Sequence, residues 1–173
     1  MIKIFFVYFF YFFSFNLYAD GIGSETGYKI PRFVSIKSND VNLRKGPSTN
    51  YPIVLKYTIK NLPVEIIDEY DLWRKIIDIN GNQGWIHKDL IKGDRFAIIN
   101  QNYNSPLQIK NKPQGRVIGT IGKNNIVKIN KCLLDWCSIS HENKQGWIEK
   151  INLWGVYKYE KINIPFYQPL INQ

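Results

Sequence analysis

From residue 30 onward, apolar and polar positions alternate with a period of two, as in strands that turn one face to a core. Val34 and Ile36 alternate with Phe33, Ser35 and Lys37. Val41 and Leu43 follow, then apolar runs over 53–57 and 62–67. Runs at 73–79 and 83–86 flank Asn80-Gly81-Asn82, and an Asn-Gly turn between apolar runs is the strongest hairpin signal in the chain. Residues 87–90 suit a single 3₁₀ turn before the next strand. Past the first twenty residues no stretch shows helical periodicity, so the expected fold class is all-β.

The pattern is interrupted between Leu43 and Ile53 by Arg44-Lys45-Gly46-Pro47-Ser48-Thr49-Asn50-Tyr51-Pro52. Gly46 permits positive φ, two prolines forbid regular structure, and polar residues fill the gap. Loop geometry accounts for most of these residues. Arg44, Lys45 and Tyr51 are the ones available to a ligand.

The pattern then restarts. Trp73 followed by Gln83-Gly84-Trp85-Ile86 is matched by Trp136 followed by Gln145-Gly146-Trp147-Ile148, 62 or 63 residues later. Lys45-Gly46-Pro47 has its counterpart in Asn111-Lys112-Pro113, and 62–64 in 125–127. Two copies of roughly 60 residues account for 31–157. The second copy lacks the Gly-Pro element and carries the cysteines, which makes the first the better candidate for ligand contact.

Composition adds a net charge of +9. Such a charge invites a nucleic-acid partner, but 18 of the 23 basic residues are Lys, and no recognition helix or RNA-binding motif accompanies them. No nucleic-acid partner is expected. At the start, Lys3 precedes an almost unbroken apolar run over 4–15, and Ala19 precedes Asp20. This is the pattern of a secretory signal peptide, shorter than the roughly 20 residues of a membrane span. Leu17 is larger than the residue usual before a cleavage site, so an uncleaved anchor is the alternative. Cleavage at Ala19 leaves an exported, periplasmic or secreted protein with no membrane span. Residues 20–30, rich in Gly, Ser and Thr, read as a flexible leader.

Export places Cys132 and Cys137, the only cysteines, in an oxidising setting. A structural disulfide is the favoured reading, contributing about 2 kcal/mol in the chain-entropy model. Free thiols and a metal or redox site are the alternatives. A metal site is short of ligands, since His87 and His141 are the only histidines. No cofactor and no metal are expected.

The stretch Val41-Asn42-Leu43-Arg44-Lys45-Gly46-Pro47 followed by Tyr51-Pro52, with Gly84-Trp85-Ile86 at the far end, resembles a bacterial SH3 (SH3b) domain. The wider pattern is similar to a proteobacterial family of exported tandem SH3-like proteins. Its marks are Pro31-Arg32-Phe33-Val34-Ser35, Leu62-Pro63-Val64-Glu65, Gly84-Trp85-Ile86-His87, the Cys132/Trp136-Cys137 group and Trp154-Gly155-Val156-Tyr157. The resemblance implies two consecutive small SH3-like β-barrels, an envelope location and a binding role, and supplies no ligand. The expected organisation is a signal peptide (1–19), the leader (20–30), a first SH3b domain (31–92), a second SH3b-like domain (95–157) and a C-terminal tail (158–173).

Strand parity separates the tryptophans from the core. If Ile76 and Ile139 face inward, so does Cys137, while Trp73 and Trp136 face out. An outward Trp lines a groove for a peptide or glycan, or covers an open barrel end. Trp85 and Trp147, following glycines, read as structural. Tyr51, Tyr70 and Trp73 form a candidate aromatic ledge beside Arg44 and Lys45, whose cations suit the carboxylates of a peptidoglycan stem peptide or crossbridge. Peptidoglycan is the leading partner and an envelope protein the alternative; the oligomeric state is open.

Catalysis lacks its parts. Cysteine-type wall peptidases need a further domain of about 100 residues with a Cys–His pair. Cys137 in a disulfide cannot serve as nucleophile to His141. Asp68-Glu69 and Asp71 read as a solvated acidic turn rather than a glycosidase dyad.

Overall fold

The computed structural model describes residues 21–100 and 106–163. The expected signal peptide and the tail beyond residue 163 lie outside the described residues.

Two antiparallel sheets with the same strand order follow one another along the chain. The first comprises β3 (Arg32–Ile36), β4 (Val41–Arg44), β5 (Ile53–Tyr57), β6 (Pro63–Tyr70), β7 (Trp73–Ile77), β8 (Gln83–His87) and β9 (Ile91–Lys92). Its spatial order is β5-β4-β8-β7-β6-β3-β9. The second repeats this with β10 (Phe96–Ile99), β11 (Leu107–Lys110), β12 (Val117–Ile121), β13 (Ile126–Cys132), β14 (Trp136–His141), β15 (Lys144–Glu149) and β16 (Leu153–Trp154). A single 3₁₀ turn precedes the last strand in each copy, at Lys88–Leu90 and Lys150–Asn152. The fold is all-β: two consecutive SH3-like barrels.

Each barrel has its own core. Ile36, Val41, Leu43, Val64, Ile66, Ile76 and Ile86 fill the first; Ile99, Val127, Ile129, Ile139 and Ile148 fill the second with Cys132 and Cys137. Each such side chain contributes about 1.5–3 kcal/mol relative to exposure. Strand parity holds as expected: Ile76, Ile139 and Cys137 are buried, while Trp73 and Trp136 lie on the outer face. Gly84 and Gly146 let the neighbouring strand cross closely. A Cβ at 84 would fall 2.7 Å from the Arg44 carbonyl oxygen, and one at 146 would fall 2.1 Å from Ile109 Cγ2.

The Asn-Gly hairpin forms between β7 and β8, but its loop is built on Asp78. Asp78 Oδ1 accepts from the amides of Asn80 and Asn82, and Oδ2 from the Asn82 side chain and the Tyr57 hydroxyl. The equivalent turn in the second barrel is Glu142-Asn143, with φ of 45° and 62°. Positive φ at both positions is what a type I′ two-residue hairpin turn requires.

Residues 21–30 are not a loose leader. β1 (Gly21–Ile22) and β2 (Lys29–Ile30) form a hairpin, and its turn is bound to Glu69. The amides of Glu25 and Thr26 donate to Glu69 Oε2 at 3.0 and 2.9 Å, and the Thr26 hydroxyl donates to Oε1 at 2.8 Å. The Gly/Ser/Thr composition suggested flexibility because the anchoring carboxylate lies more than forty residues away. The acidic-turn reading is corrected with it: Glu69 belongs to β6, and its side chain is wholly buried. Burial alone would raise its pKa, but hydrogen bonds from Arg32, Thr26 and the Glu25 amide reverse this and hold the carboxyl below its ordinary range.

A seam joins the barrels. Phe33, on the outer face of β3, meets Trp154 edge-on at 5.1 Å and Tyr157 at 4.8 Å between ring centroids. The Tyr157 hydroxyl donates to Glu65 Oε1 at 2.6 Å, and the Ser35 hydroxyl to the Asp94 carbonyl at 2.8 Å. Ser35 is therefore fully buried on a face that alternation alone assigns to solvent.

Candidate functional site

In the first barrel, strand register sets the outward residues of β4, β8 and β7 side by side. Arg44 lies opposite Trp85, Trp85 opposite Lys75, and Trp73 opposite His87. Trp73 meets the His87 ring edge-on at 5.5 Å. Tyr70 is opposite Trp73 where β6 turns into β7, and is 60% exposed.

The five residues singled out from sequence fall into two groups. Tyr70 and Trp73 share the hairpin end. Arg44, Lys45 and Tyr51 share the loop between β4 and β5. Among the described residues no hydrogen bond or ring contact joins the groups; Trp85, read from sequence as structural, stands between them in the register. Arg44 is largely committed to its own loop, with Nη1 donating to the carbonyls of Thr49 at 2.9 Å and Tyr51 at 2.8 Å. Lys45 is exposed, and its amide donates to the Pro52 carbonyl. Gly46 serves a close approach rather than positive φ, since a Cβ there would fall 2.6 Å from the Tyr51 ring. Tyr51 thus lies against its own loop and remains 46% exposed.

The second barrel repeats this face with different chemistry. Lys110 takes the register position of Arg44, opposite Trp147, and Glu149 takes that of His87, opposite Trp136. The Lys110 ammonium sits 5.0 Å from the centroid of the Trp136 ring. Here the face opens into a groove of about 640 Å³. Lys110, Trp136, Asp135 and Glu149 line it, with Leu134 and Ile151 at its mouth and Leu153 and Val156 buried beneath. The sequence favours the first copy for ligand contact and marks only Trp136 among these residues, as an outward tryptophan. The repeat itself held the signal, because the offset that pairs Trp73 with Trp136 also brings the second face into view.

One buried cation builds this groove. Lys150, 4% exposed, donates through Nζ to the carbonyls of Leu133 (2.6 Å), Glu160 (2.8 Å) and Lys158 (3.2 Å). It thereby ties the loop after β13 to the strap that follows β16. Burial pushes its pKa down, partly offset by Glu160 and Asp135. The strap is held further by the Arg95–Glu160 ion pair and by paired backbone hydrogen bonds between Ile162 and Cys132. Burial would raise the Glu160 pKa, but the Arg95 hydrogen bonds bring it below its ordinary value. Cys132 and Cys137 form the expected disulfide, joining directly opposed residues of β13 and β14.

Among the described residues no three His, Cys, Asp or Glu side chains converge as metal ligands, and no helix is long and apolar enough to cross a membrane. His87 and His141 stand in different barrels, and His141 Nδ1 lies 3.1 Å from the Ile126 carbonyl.

The bacterial SH3 domain matches this chain twice, over residues 37–93 and 111–155. Such domains typically act as binding modules, and they occur in exported or envelope-associated proteins. No curated protein matches the chain. Among solved structures, that of NlpC1 from Trichomonas vaginalis is 15% identical with a TM-score of 0.31, covering 76% of this chain and 48% of its own. The chain thus spans about half the length of that structure. With two matched segments lying on two sheets of identical strand order, the chain belongs to the bacterial SH3 domain family, in tandem form.

Proposed function

We propose that the protein is an exported, non-enzymatic binding module that recognises a component of the bacterial envelope, with peptidoglycan as the leading ligand. One observation carries this reading: each barrel presents an outward tryptophan beside a cation on the same face, Trp85 between Arg44 and Lys75 in the first and Trp136 and Trp147 beside Lys110 in the second. Aromatic surface beside a cation suits ligands that combine an apolar body with carboxylates. In the first barrel Lys45, Tyr51, Tyr70 and Trp73 are the contact residues, and Arg44 holds the loop that carries two of them.

Co-sedimentation of the exported form with purified sacculi tests this. Retention is expected, reduced by Trp73→Ala and by Trp136→Ala. No retention at low salt overturns the reading. Retention that vanishes with salt and ignores both substitutions reports charge attraction alone.

The seam favours a second reading, a periplasmic adaptor whose joined barrels grip a protein. A stoichiometric protein partner whose capture is independent of glycan would establish it over the first.

A further inference from the structure

The outward faces of the two barrels differ in the charges around their tryptophans. The first sets Arg44 and Lys75 on either side of Trp85, with Asp89 beside His87. The second sets carboxylates and ammonium groups around one ring. Glu149 lies opposite Trp136 in the register, Asp135 precedes it in sequence, and Lys110 stands over it. Asp135 and Glu149 are exposed and form no ion pair with another described residue. Lys150 cannot serve a ligand, because its three protons go to three carbonyls. The Lys110 ammonium forms no ion pair with another described residue and lies over the Trp136 ring, and Lys158 also lines the groove. At the mouth, Leu134 is 50% exposed and Ile151 86%, an apolar edge on an otherwise charged rim.

We propose that this groove binds a short zwitterionic peptide. Its ammonium lies between Asp135 and Glu149, its carboxylate meets Lys110, and its aliphatic part covers Trp136, Leu134 and Ile151. The inference rests on the reading of the outward faces as envelope-binding surfaces and narrows it to peptide rather than glycan, in the second barrel. A purely anionic polymer would set like charges against two carboxylates, and an uncharged glycan would leave the charged groups without partners. The groove's size lies within the roughly 300–1,000 Å³ usual for ligand sites.

The test is a titration of the exported protein with alanyl-leucyl-alanine bearing free termini, with its N-acetyl and C-amide forms in parallel, followed by the indole resonances. The free tripeptide is expected to shift Trp136, and either cap to weaken binding roughly tenfold, as loss of a charge-assisted hydrogen bond implies. The double substitution Asp135→Asn with Glu149→Gln, at exposed positions, should weaken the free peptide and leave the N-acetyl form unchanged. Equal affinity for free and capped peptides, shifts confined to Trp73 and Trp85, or no saturable binding overturns the inference. Sacculus retention without tripeptide binding overturns this inference alone. Tripeptide binding without sacculus retention overturns the envelope reading alone.

Discussion

The two barrels solve one structural problem with different chemistry. At the end of the first, Glu69 of β6 lies directly opposite Arg74 of β7, with Oε1 3.5 Å from Nε. At the corresponding place in the second, Cys132 of β13 lies opposite Cys137 of β14, and a covalent bond joins them. A disulfide completes itself. A buried carboxylate does not: both oxygens must be satisfied, or the charge costs several kcal/mol. Glu69 meets that requirement by recruiting Arg32 at 2.6 Å and the amides of the 21–30 hairpin. The hairpin is in effect the solvation shell of the strut. The first barrel therefore depends on a segment outside its sheet to satisfy a buried charge, whereas the strap meets Cys132 through backbone pairing and the apolar packing of Ile162.

The largest expected effect tests that dependence. Glu69→Ala removes the carboxylate that Arg32 and Arg74 share, leaves Arg74 only its two carbonyl partners, and should cost about 3–5 kcal/mol in chemical denaturation while freeing residues 21–30 to proteolysis. A loss below about 1 kcal/mol would mean the ion pair is no strut. Next comes Phe33→Ala, expected to cost about 3 kcal/mol and to divide one unfolding transition into two, because the ring belongs to the seam. Replacing both cysteines with serine should cost about 2 kcal/mol, confined to the second barrel. If that double substitution destabilised the first barrel equally, the comparison would fail.

Acid should give the smallest and most graded response. The pKa of Glu69 is lowered from its ordinary 4.5, so its stabilisation is complete above that value. Below it the unfolded chain takes up the proton first, and stability falls until the folded carboxyl is protonated as well. Calorimetry across this range should show Glu69→Gln flattening the acid response of the first barrel. The second keeps its own response through Glu160, whose pKa is also lowered.

Much of the fold was legible in the sequence because it is written in local, periodic terms. Alternation put Trp73 and Trp136 outside and Cys137 inside, and the repeat foretold two barrels. What escaped was non-local. Glu69 looked like a surface acid because its partners come from residues 24–32 and from Arg74 across the hairpin. Lys150 looked like one more surface lysine, although its ammonium sits among three carbonyls of two distant loops. The first-barrel candidates were identified by residue type, but neither Arg44's commitment to its loop nor the second barrel's groove can be read from type alone. Phe33 and Ser35 alternate as an exposed face should, and only the neighbouring barrel explains their burial.

The aromatic cluster of Phe33, Trp154 and Tyr157, fastened by the Tyr157 hydroxyl on Glu65, also fixes how contacts made by the two barrels would combine. Joined by a floppy tether, two barrels would sample many separations and reinforce each other on almost any substrate. Clasped together, they would gauge one span if both faces bind. A polymer repeating at that span would then meet the second face at an effective concentration of roughly millimolar order, and one that does not would lose the second contact entirely.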